Sequence, residues 1–404
     1  MNPKTVRVLD TTLREGEQTP GICFPPHAKA AIADILETMG IDIIEAGHPL
    51  VSSRTWAGVL AVRRRIRRAL VAAHARTKPG DLVAALDCGV DLVGIFFCVS
   101  DQRLAHHDIT LNAAIDRICS IIRQSKEQAP EVLVRYTPED TVRSAWKNVR
   151  QAACAAVDAG ADIISVADTT GAMIPGGEHS LKPYVARMQD EFSRRGLNAE
   201  IAVHCHNDRG LALANALDGI RGGATIVDAS VLGLGERAGI VDLATLLSAL
   251  CNDMGLDHHW DLTRLPHLYN TVSRFSGIQP GVNAPIIGRH AFTHCAGVHT
   301  QAALNNPVHY ESLHPEMFGR SRKVALDHMS GMSSLRYSLE QIGCDELDPE
   351  LTTRLLDEVK HIGHSGRCID LVELRWLVDS IRSEFSSGEN HDSYHPCSFA
   401  DPAG

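Results

Sequence analysis

Short apolar runs alternate with helical patterns eight times between the start of the chain and about residue 254. The runs expected to be strands cover residues 6–9, 43–45, 70–73, 92–97, 132–136, 163–167, 201–205 and 226–230. Each is followed by a stretch with helical periodicity, and repeated strand–helix units imply a parallel sheet. Eight such units in about 250 residues favour a closed (β/α)8 TIM barrel, of the α/β class, over an open doubly wound sheet.

The pattern changes beyond residue 254. A connector that contains Pro266, Gly277, Pro280, Gly281 and Pro285 leads into segments that are mostly helical. We therefore expect the barrel over residues 1–254, then a linker and a smaller, mostly helical C-terminal region over 255–385. Residues 386–404 are polar and rich in turn formers, which predicts a disordered tail.

The composition argues against several classes of partner. The 404 residues carry a net charge of -10, which disfavours nucleic acid or an anionic membrane as the main partner. No apolar run is long enough to span a membrane, and the N-terminus enters a strand without the apolar core of a signal peptide. A cytoplasmic location is therefore expected. The eleven cysteines form no C-x-x-C pair and are expected to be reduced core residues.

Two segments far apart in the chain carry groups that indicate a metal centre. Glu15 follows the first predicted strand, and His204 and His206 lie at the end of the seventh. Two histidines two residues apart on a strand point to the same side and can hold one divalent cation, while Cys205 between them points away. Glu15 can complete a three-ligand site with positions open for water and substrate. An H-x-H pair alone is only moderately specific, because barrel metallohydrolases carry one too.

Arg14 precedes Glu15 and places a fixed cation beside the expected metal. Such a cation can stabilise an oxyanion that develops on a bound carbonyl. The alternative is an Arg14–Glu15 ion pair that closes a loop, which the dipeptide alone would favour.

Polar groups also occur at the ends of three other strands. Arg135 and Glu139 come at strand five, Asp168 and Thr169 at strand six, and His74 at strand three. Arg135 can bind a carboxylate, and Glu139 can act as a base. Residues 137–140 also resemble an ordinary capping box for the next helix, so capping and chemistry are both open interpretations there.

Residues 233–238 match the relaxed G-x-G-x-x-A dinucleotide pattern and follow a strand. The match lies at the end of the eightfold alternation and does not open a nucleotide-binding fold. A tight turn near the site is therefore the preferred interpretation.

The C-terminal region concentrates His294, His299, His309 and Tyr310 close to Gly and Pro turns. A single histidine is usually structural. Several such groups in a short span suggest a lid that brings acid and base groups over the barrel mouth.

These residues resemble those of the homocitrate synthase and 2-isopropylmalate synthase family, which are acyl-CoA-dependent Claisen condensing enzymes with a TIM barrel. The resemblance runs from Val6 to about Gly343. It rests on the segments 10–18, 135–140, 168–171, 204–210, 233–239, 292–299 and 305–318. The last two segments lean towards homocitrate synthases.

The resemblance implies the same three metal ligands, for Mg, Mn or Zn, and adds catalytic roles. Arg14 would stabilise the enolate or alkoxide, while Glu139, His299 and Tyr310 would transfer protons. His299 and Tyr310 would reach the barrel from the partner subunit of a homodimer, so the C-terminal region would serve as lid and dimerisation element. A base would remove a methyl proton from acetyl-CoA, the carbanion would add to the keto carbon of a 2-oxo acid, and thioester hydrolysis would release CoA.

The resemblance also implies a pocket for the 2-oxo acid. Its lining would be Gln18, His74, Gly94, Arg135, Thr169 and Arg209. Gly94 stands where the family sets selectivity with a polar side chain, which would enlarge the pocket. Arg209 stands where Leu or Thr is usual and would add a positive charge. Ala202 also replaces a Glu of homocitrate synthases.

These departures suggest an acceptor other than 2-oxoglutarate or 2-oxoisovalerate. The favoured hypothesis is an anionic analogue such as phosphonopyruvate, which would give a phosphonomethylmalate-type product; homocitrate synthesis from 2-oxoglutarate is the alternative. A metal-dependent carbon–carbon lyase of the same barrel type and a non-catalytic sensor are the other classes. The region with His299 and Tyr310 favours condensation, and the complete set of polar groups argues against a sensor.

Overall fold

A computed structural model describes residues 5–256 and 258–387. Eight parallel strands close into a barrel in sequence order, with β1 paired to both β2 and β8, which confirms the predicted (β/α)8 fold. The strands are β1 Arg7–Asp10, β2 Ile43–Glu45, β3 Leu70–Arg76, β4 Leu92–Cys98, β5 Leu133–Glu139, β6 Ile163–Asp168, β7 Glu200–Cys205 and β8 Ile226–Ala229.

Helices follow the strands as the periodicity predicts. Those up to the end of the barrel are α1 Pro26–Met39, α2 Ser53–Arg65, α3 Pro79–Asp87, α4 Asp101–His106, α5 Leu111–Gln128, α6 Trp146–Asp158, α7 Leu181–Arg195, α8 Ala212–Arg221 and α9 Leu243–Asn252. The later ones are α10 Leu265–Ser276, α11 Gly297–Asn305, α12 Met332–Gln341, α13 Pro349–Gly363 and α14 Leu371–Ser387. None of the helices in the described ranges is long and apolar enough to cross a membrane.

The inside of the barrel changes from apolar to polar along the strands. A buried apolar layer is formed by Leu9, Ile43, Ala72, Leu92, Ile163, Ala202 and Ile226. Strand side chains return to the same face every second residue, so the next inward layer is read two positions further on. It consists of Thr11, Glu45, His74, Gly94, Arg135, Ser165, His204 and Asp228. The polar groups are therefore collected at the C-terminal ends of the strands, where TIM barrels build their sites.

Strand β5 is longer than predicted and ends at Glu139. Helix α6 begins only at Trp146, and Asp140 between them has left-handed backbone geometry, with φ of 57°. The capping-box interpretation of residues 137–140 is therefore wrong, because residues 137–139 belong to β5 and the Asp140 side chain makes no capping hydrogen bond to the short 3-10 turn Thr141–Arg143.

The chain divides into two compact units. The first runs to Gly288 and also includes 317–319, so it contains α10 and the linker after it. The second contains 289–316 and, among the described residues, the chain from Arg320 to residue 387. It is mostly helical, as predicted, and also contains a small parallel sheet of β9 Thr293–His294 and β10 Lys323–Val324. The tail predicted to be disordered, 386–404, lies from residue 388 onward outside the described residues.

Candidate active site

His204 and His206 come together at the end of β7, as their spacing predicts. Their Nε2 atoms are 3.3 Å apart and both side chains are buried. Asp228 on the neighbouring strand β8 fixes the first ring, because its Oδ2 lies 2.9 Å from His204 Nδ1. A carboxylate at this position keeps the proton on Nδ1 and leaves the Nε2 lone pair towards the cavity. Cys205 is completely buried and packs away from the pair.

Burial and the neighbouring His204 lower the pKa of His206 to about 4. His206 is therefore neutral at pH 7, which is the protonation state that a metal ligand needs. Its Nδ1 is buried and has no protein partner among the described residues.

Glu15 lies beside the two histidines in the loop after β1 and is almost completely buried. Its carboxylate forms an ion pair with Arg14 and accepts the backbone N–H of Glu236 at 3.2 Å. The Gln18 amide, with its nitrogen turned towards Glu15, donates to both carboxylate oxygens at 2.8 and 3.0 Å. Burial alone would raise the pKa of Glu15, but Arg14 and the two histidines outweigh it, and the pKa lies below its usual value.

These three side chains fit a divalent cation, although within the described ranges no three His, Cys, Asp or Glu side chains are already grouped closely enough to hold one. Two imidazole nitrogens face each other at 3.3 Å, and a carboxylate orients one of the rings from behind. That carboxylate–histidine arrangement is the usual support of a metal-bound histidine. Glu15 is ionised and close enough to interact electrostatically with both rings. The donor set of two nitrogens and one carboxylate suits Mg, Mn or Zn.

Arg14 forms more than the single ion pair that the sequence suggested. Its Nε donates to Glu45 Oε2 at 2.7 Å, while Nη1 binds Glu15. Glu45 also accepts the Thr11 hydroxyl at 2.6 Å. Burial alone would lower the pKa of Arg14, but Glu45 and Glu15 raise it well above its usual value, so the guanidinium stays charged. Arg14 Nη2 has no protein acceptor among the described residues and remains available to a ligand.

Arg135 lies in the same polar layer but is bound to the protein. Its Nη1 and Nη2 contact the two carboxylate oxygens of Asp228 at 2.8 and 2.6 Å, and Nη2 also reaches the Ser165 hydroxyl at 2.6 Å. One carboxylate thus holds both Arg135 and His204. The role of Arg135 in holding the 2-oxo acid stays a prediction. A guanidinium has five N–H donors, and these contacts use only some of them.

His74 and Gly94 lie next to each other on β3 and β4, in register across the sheet. His74 Nδ1 is 3.3 Å from Glu45 Oε1, and its ring stacks on Phe96 with a centroid distance of 4.6 Å. A Cβ added at Gly94 would lie 3.6 Å from Glu45 Oε1 and 3.7 Å from His74 Nδ1. A side chain at this position would therefore contact these two groups, and the predicted enlargement of the pocket by Gly94 stays a prediction.

Thr169, Arg209 and Glu139 all make contacts that occupy part of their polar groups. Thr169 Oγ1 accepts the Asp140 N–H at 3.0 Å. Arg209 is exposed in the loop after β7 and donates to the carbonyl of Ala172 at 2.8 Å. Glu139 is partly exposed and pairs with Arg103 of α4 at 2.6 Å. Their functional roles remain predictions.

The loop of residues 233–239 follows β8 and approaches the metal-site residues closely. A Cβ at Gly235 would lie only 3.1 Å from Glu15 Cγ. Gly239 has φ of 77°, and a Cβ there would be 1.8 Å from the carbonyl oxygen of Gly233. Only glycine fits this position. The loop is thus a tight turn at the site, as predicted, and not part of a nucleotide-binding fold.

His299 and Tyr310 belong to the second unit. Their rings lie together, with centroids 4.4 Å apart. Both side chains are exposed to solvent in the single chain. Their action at the barrel mouth stays a prediction.

Sequence reasoning missed Glu45 and Asp228, which hold Arg14, His74, Arg135 and His204 in place. The sequence does contain a pattern that could have identified both residues. Each is the one ionisable residue in an otherwise apolar strand, at the inward parity defined by Ile43 and Ile226.

Two family models match the chain. The model described as HMGL-like matches residues 5–272, and the one described as homocitrate synthase post-HMGL domain-like matches residues 286–367. The first covers the barrel with α10, and the second covers most of the C-terminal region.

Curated relatives agree with these matches. Homocitrate synthase from Pyrococcus abyssi is 44% identical over 357 residues, which are 87% of this chain and 94% of the relative. Homocitrate synthase from Sulfurisphaera tokodaii is 39% identical over 379 residues, covering 91% of this chain and 79% of the relative. Among solved structures, hydroxymethylglutaryl-CoA lyase from Pseudomonas aeruginosa has the same barrel fold, with a TM-score of 0.58 and 24% identity over 70% of this chain and 96% of that one. From these matches, the chain belongs to the HMGL-like family, in the homocitrate synthase and 2-isopropylmalate synthase group that its sequence predicted.

Proposed function

We propose that the chain condenses acetyl-CoA with a 2-oxo acid and releases CoA by hydrolysis of the thioester. As a member of its family, it is an acyltransferase that turns an acyl group into an alkyl group on transfer. The proposal is supported above all by Arg14 and Glu15 beside two histidines whose Nε2 atoms are 3.3 Å apart. A polar cluster of this kind at a barrel mouth offers both a cation site and a fixed positive charge.

Glu15, His204 and His206 would hold the divalent cation on which enzymes of this family generally depend. When bound, it would act as a Lewis acid on the keto group of the acceptor. The protein contributes ligands in the correct state, since Glu15 is ionised and His206 is neutral at pH 7.

Arg14 would stabilise the negative charge that develops on oxygen during condensation. Its charge is maintained by Glu45 and Glu15, and its Nη2 has no protein acceptor within the described part of the chain. A preorganised donor in a buried site stabilises such an oxyanion more than water does, because it needs no reorientation.

Proton transfer would fall to Glu139, His299 and Tyr310, with the last two supplied by the partner subunit of a homodimer. Glu139 ends β5 at the mouth, where its carboxylate is now paired with Arg103. It would have to leave Arg103 to take a methyl proton from acetyl-CoA. A cytoplasmic location remains part of the same proposal.

For the acceptor, we propose a 2-oxo acid with an anionic distal group, of which 3-phosphonopyruvate is the preferred example. The space beside Gly94 supports a bulky distal group, and the exposed charge of Arg209 supports an anionic one. Homocitrate synthesis from 2-oxoglutarate is the second candidate, and it is favoured by the names of the relatives at 38–44% identity.

The test is acetyl-CoA-dependent thiol release by the purified chain with Mg or Mn against a panel of acceptors. The panel would hold 3-phosphonopyruvate, 2-oxoglutarate, 2-oxoisovalerate, pyruvate, oxaloacetate and phenylpyruvate. The acid with the highest kcat/KM identifies the acceptor. If Arg209→Leu left the discrimination between 3-phosphonopyruvate and pyruvate unchanged, the assigned role of Arg209 would be wrong. The absence of thiol release with every acceptor in the panel would contradict condensation of acetyl-CoA itself.

A further inference from the structure

His48 lies at the barrel mouth, three residues beyond the end of β2, and none of the roles given above includes it. Its Nε2 is 2.6 Å from Asp81 Oδ2, near the N-terminus of α3. The Asp81 carboxylate is completely buried, whereas the His48 side chain is 17% exposed. Asp81 therefore fixes the ring and keeps a proton on Nε2, which leaves Nδ1 for another group.

The same carboxylate also holds Arg76, at the end of β3. Asp81 accepts Arg76 Nε at 2.9 Å, Nη2 at 3.1 Å and the backbone N–H at 3.1 Å. The guanidinium is nearly half exposed, and Nη1 has no acceptor among the described residues. One buried carboxylate thus serves two basic side chains, so the cluster has a net positive charge whenever the imidazole is protonated.

The cluster borders the space beside Gly94. The His48 ring is edge-on to His74, with centroids 6.0 Å apart, and His74 in turn stacks on Phe96. The backbone of the β2 loop is fixed here too, since His74 N–H donates to Gly47 at 2.9 Å. Arg76 has the same inward parity on β3 as His74, one step closer to the mouth.

We propose that His48 and Arg76, held by Asp81, form the subsite that recognises the distal anionic group of the acceptor, with His48 as a specificity-determining residue. The inference rests on the proposed function and moves the contact of the acceptor's far end from Arg209, on the loop after β7, to the β2 and β3 side of the barrel mouth. The donors are Arg76 Nη1–H and, in the imidazolium form with both ring nitrogens protonated, His48 Nδ1–H; a carboxylate or phosphonate is the ligand class. The keto end then lies towards Arg14, because His74 and Glu45 connect the subsite to it.

The test is equilibrium binding by calorimetry to the full-length chain in the presence of Mn²⁺, without acetyl-CoA. The acceptors are 2-oxoglutarate, 3-phosphonopyruvate and 2-oxopentanoate, whose distal end is neutral. The variant is His48→Gln, whose amide nitrogen can still donate to Asp81 and so keeps the loop in place. The matched control is His267→Gln, an exposed histidine on α10.

The expected result is that the wild-type chain prefers an anionic acceptor, and that His48→Gln reduces this preference about tenfold, since one charge-assisted hydrogen bond is lost. His267→Gln should keep the preference. The anionic acceptor that loses more affinity in His48→Gln shows whether the subsite recognises a carboxylate or a phosphonate. Should His48→Gln fail to fold, Arg76→Gln should reduce the preference in the same direction.

Three results would overturn the subsite: no wild-type preference for an anionic acceptor, an equal loss for all three acceptors, or, in a separate calorimetric titration with CoA, weaker CoA binding by His48→Gln with an unchanged acceptor preference. The last would assign the cluster to CoA phosphates. Thiol release, measured separately, distinguishes this inference from the proposed function. A wild-type preference that depends on His48, without any thiol release, would sustain the subsite and refute the condensation.

Discussion

His204 and Asp228 are joined by a hydrogen bond of 2.9 Å between Nδ1 and Oδ2, and this bond determines where the His204 Nε2 lone pair points. The same carboxylate binds Arg135 through both oxygens. Asp228→Asn would remove the charge that Arg135 needs and weaken the orientation of His204. We expect the affinity for Mn²⁺ to fall about 10- to 100-fold, measured by titration of the purified protein.

Asp242→Asn is the control for this prediction, because Asp242 is a partly buried carboxylate that follows β8 but binds Tyr269 and the start of α9. Its effect on Mn²⁺ affinity should be small. An equal loss in both variants would mean that Asp228 acts only through general stability.

Asp10 should make the stability of the protein depend on pH. Burial raises the pKa of Asp10 from its ordinary 3.8 to about 7. The folded state then holds its proton more tightly than the unfolded state, so folding is disfavoured progressively as pH rises from about 4 to 7. Relative to Asp10→Asn, the wild-type protein should lose up to about 4 kcal/mol between pH 4 and pH 8. Urea unfolding of both proteins checks this, and parallel pH profiles would contradict it.

Lys29 should be one of the most sensitive positions for stability. It is 1% exposed, and its Nζ binds Glu17 at 2.7 Å and the carbonyls of Leu13 and Ala46 at 2.7 and 2.9 Å. It thus ties α1 to the loops after β1 and β2. Lys29→Met would leave the partly buried Glu17 carboxylate and two carbonyls without this donor and should cost about 3 kcal/mol.

Urea unfolding measures this loss, with Arg65→Met as the control. Arg65 pairs with Asp34 on the exposed surface. Arg65→Met should hardly change the urea concentration at the midpoint of unfolding, because solvent screens an exposed ion pair. A similar shift in both variants would show that Lys29 is not the anchor its contacts indicate.

The trans assignment of His299 predicts complementation between two inactive variants. Arg14→Ala disables the barrel, and His299→Ala disables the lid. When the two variants are coexpressed, some dimers contain one subunit of each variant. In such a mixed dimer one of the two sites has both wild-type groups, so about a quarter of wild-type activity should return. Thiol release measures the recovery. Stable mixed pairs without recovered activity would place His299 in its own subunit's site, or outside it.

The sequence was sufficient to locate the barrel and the histidine pair because both depend on short-range periodicity. Apolar runs of strand length recur eight times, and the two-residue period brings His204 and His206 to one side. The closeness of Glu15 to this pair then follows from closure of the barrel, which makes β1 and β7 both neighbours of β8.

The ion-pair partners of the site arginines could not be predicted in the same way. Arg135 is a candidate for binding substrate on local grounds, yet its carboxylate partner Asp228 lies 93 residues later in the chain. Arg14 is adjacent to Glu15, but its second partner Glu45 becomes visible only when β1 pairs with β2. Such pairings depend on which inward positions share a layer, and a single strand does not reveal that.

The most direct test of the central claim is to supply acetyl-CoA labelled with ¹³C at the methyl carbon, together with the preferred 2-oxo acid and Mn²⁺. Condensation predicts a product whose labelled carbon is a methylene bonded to the former keto carbon, with one thiol released per molecule formed. Nuclear magnetic resonance identifies that bond. Thiol release with the label recovered only as acetate would show simple thioester hydrolysis and would contradict the account.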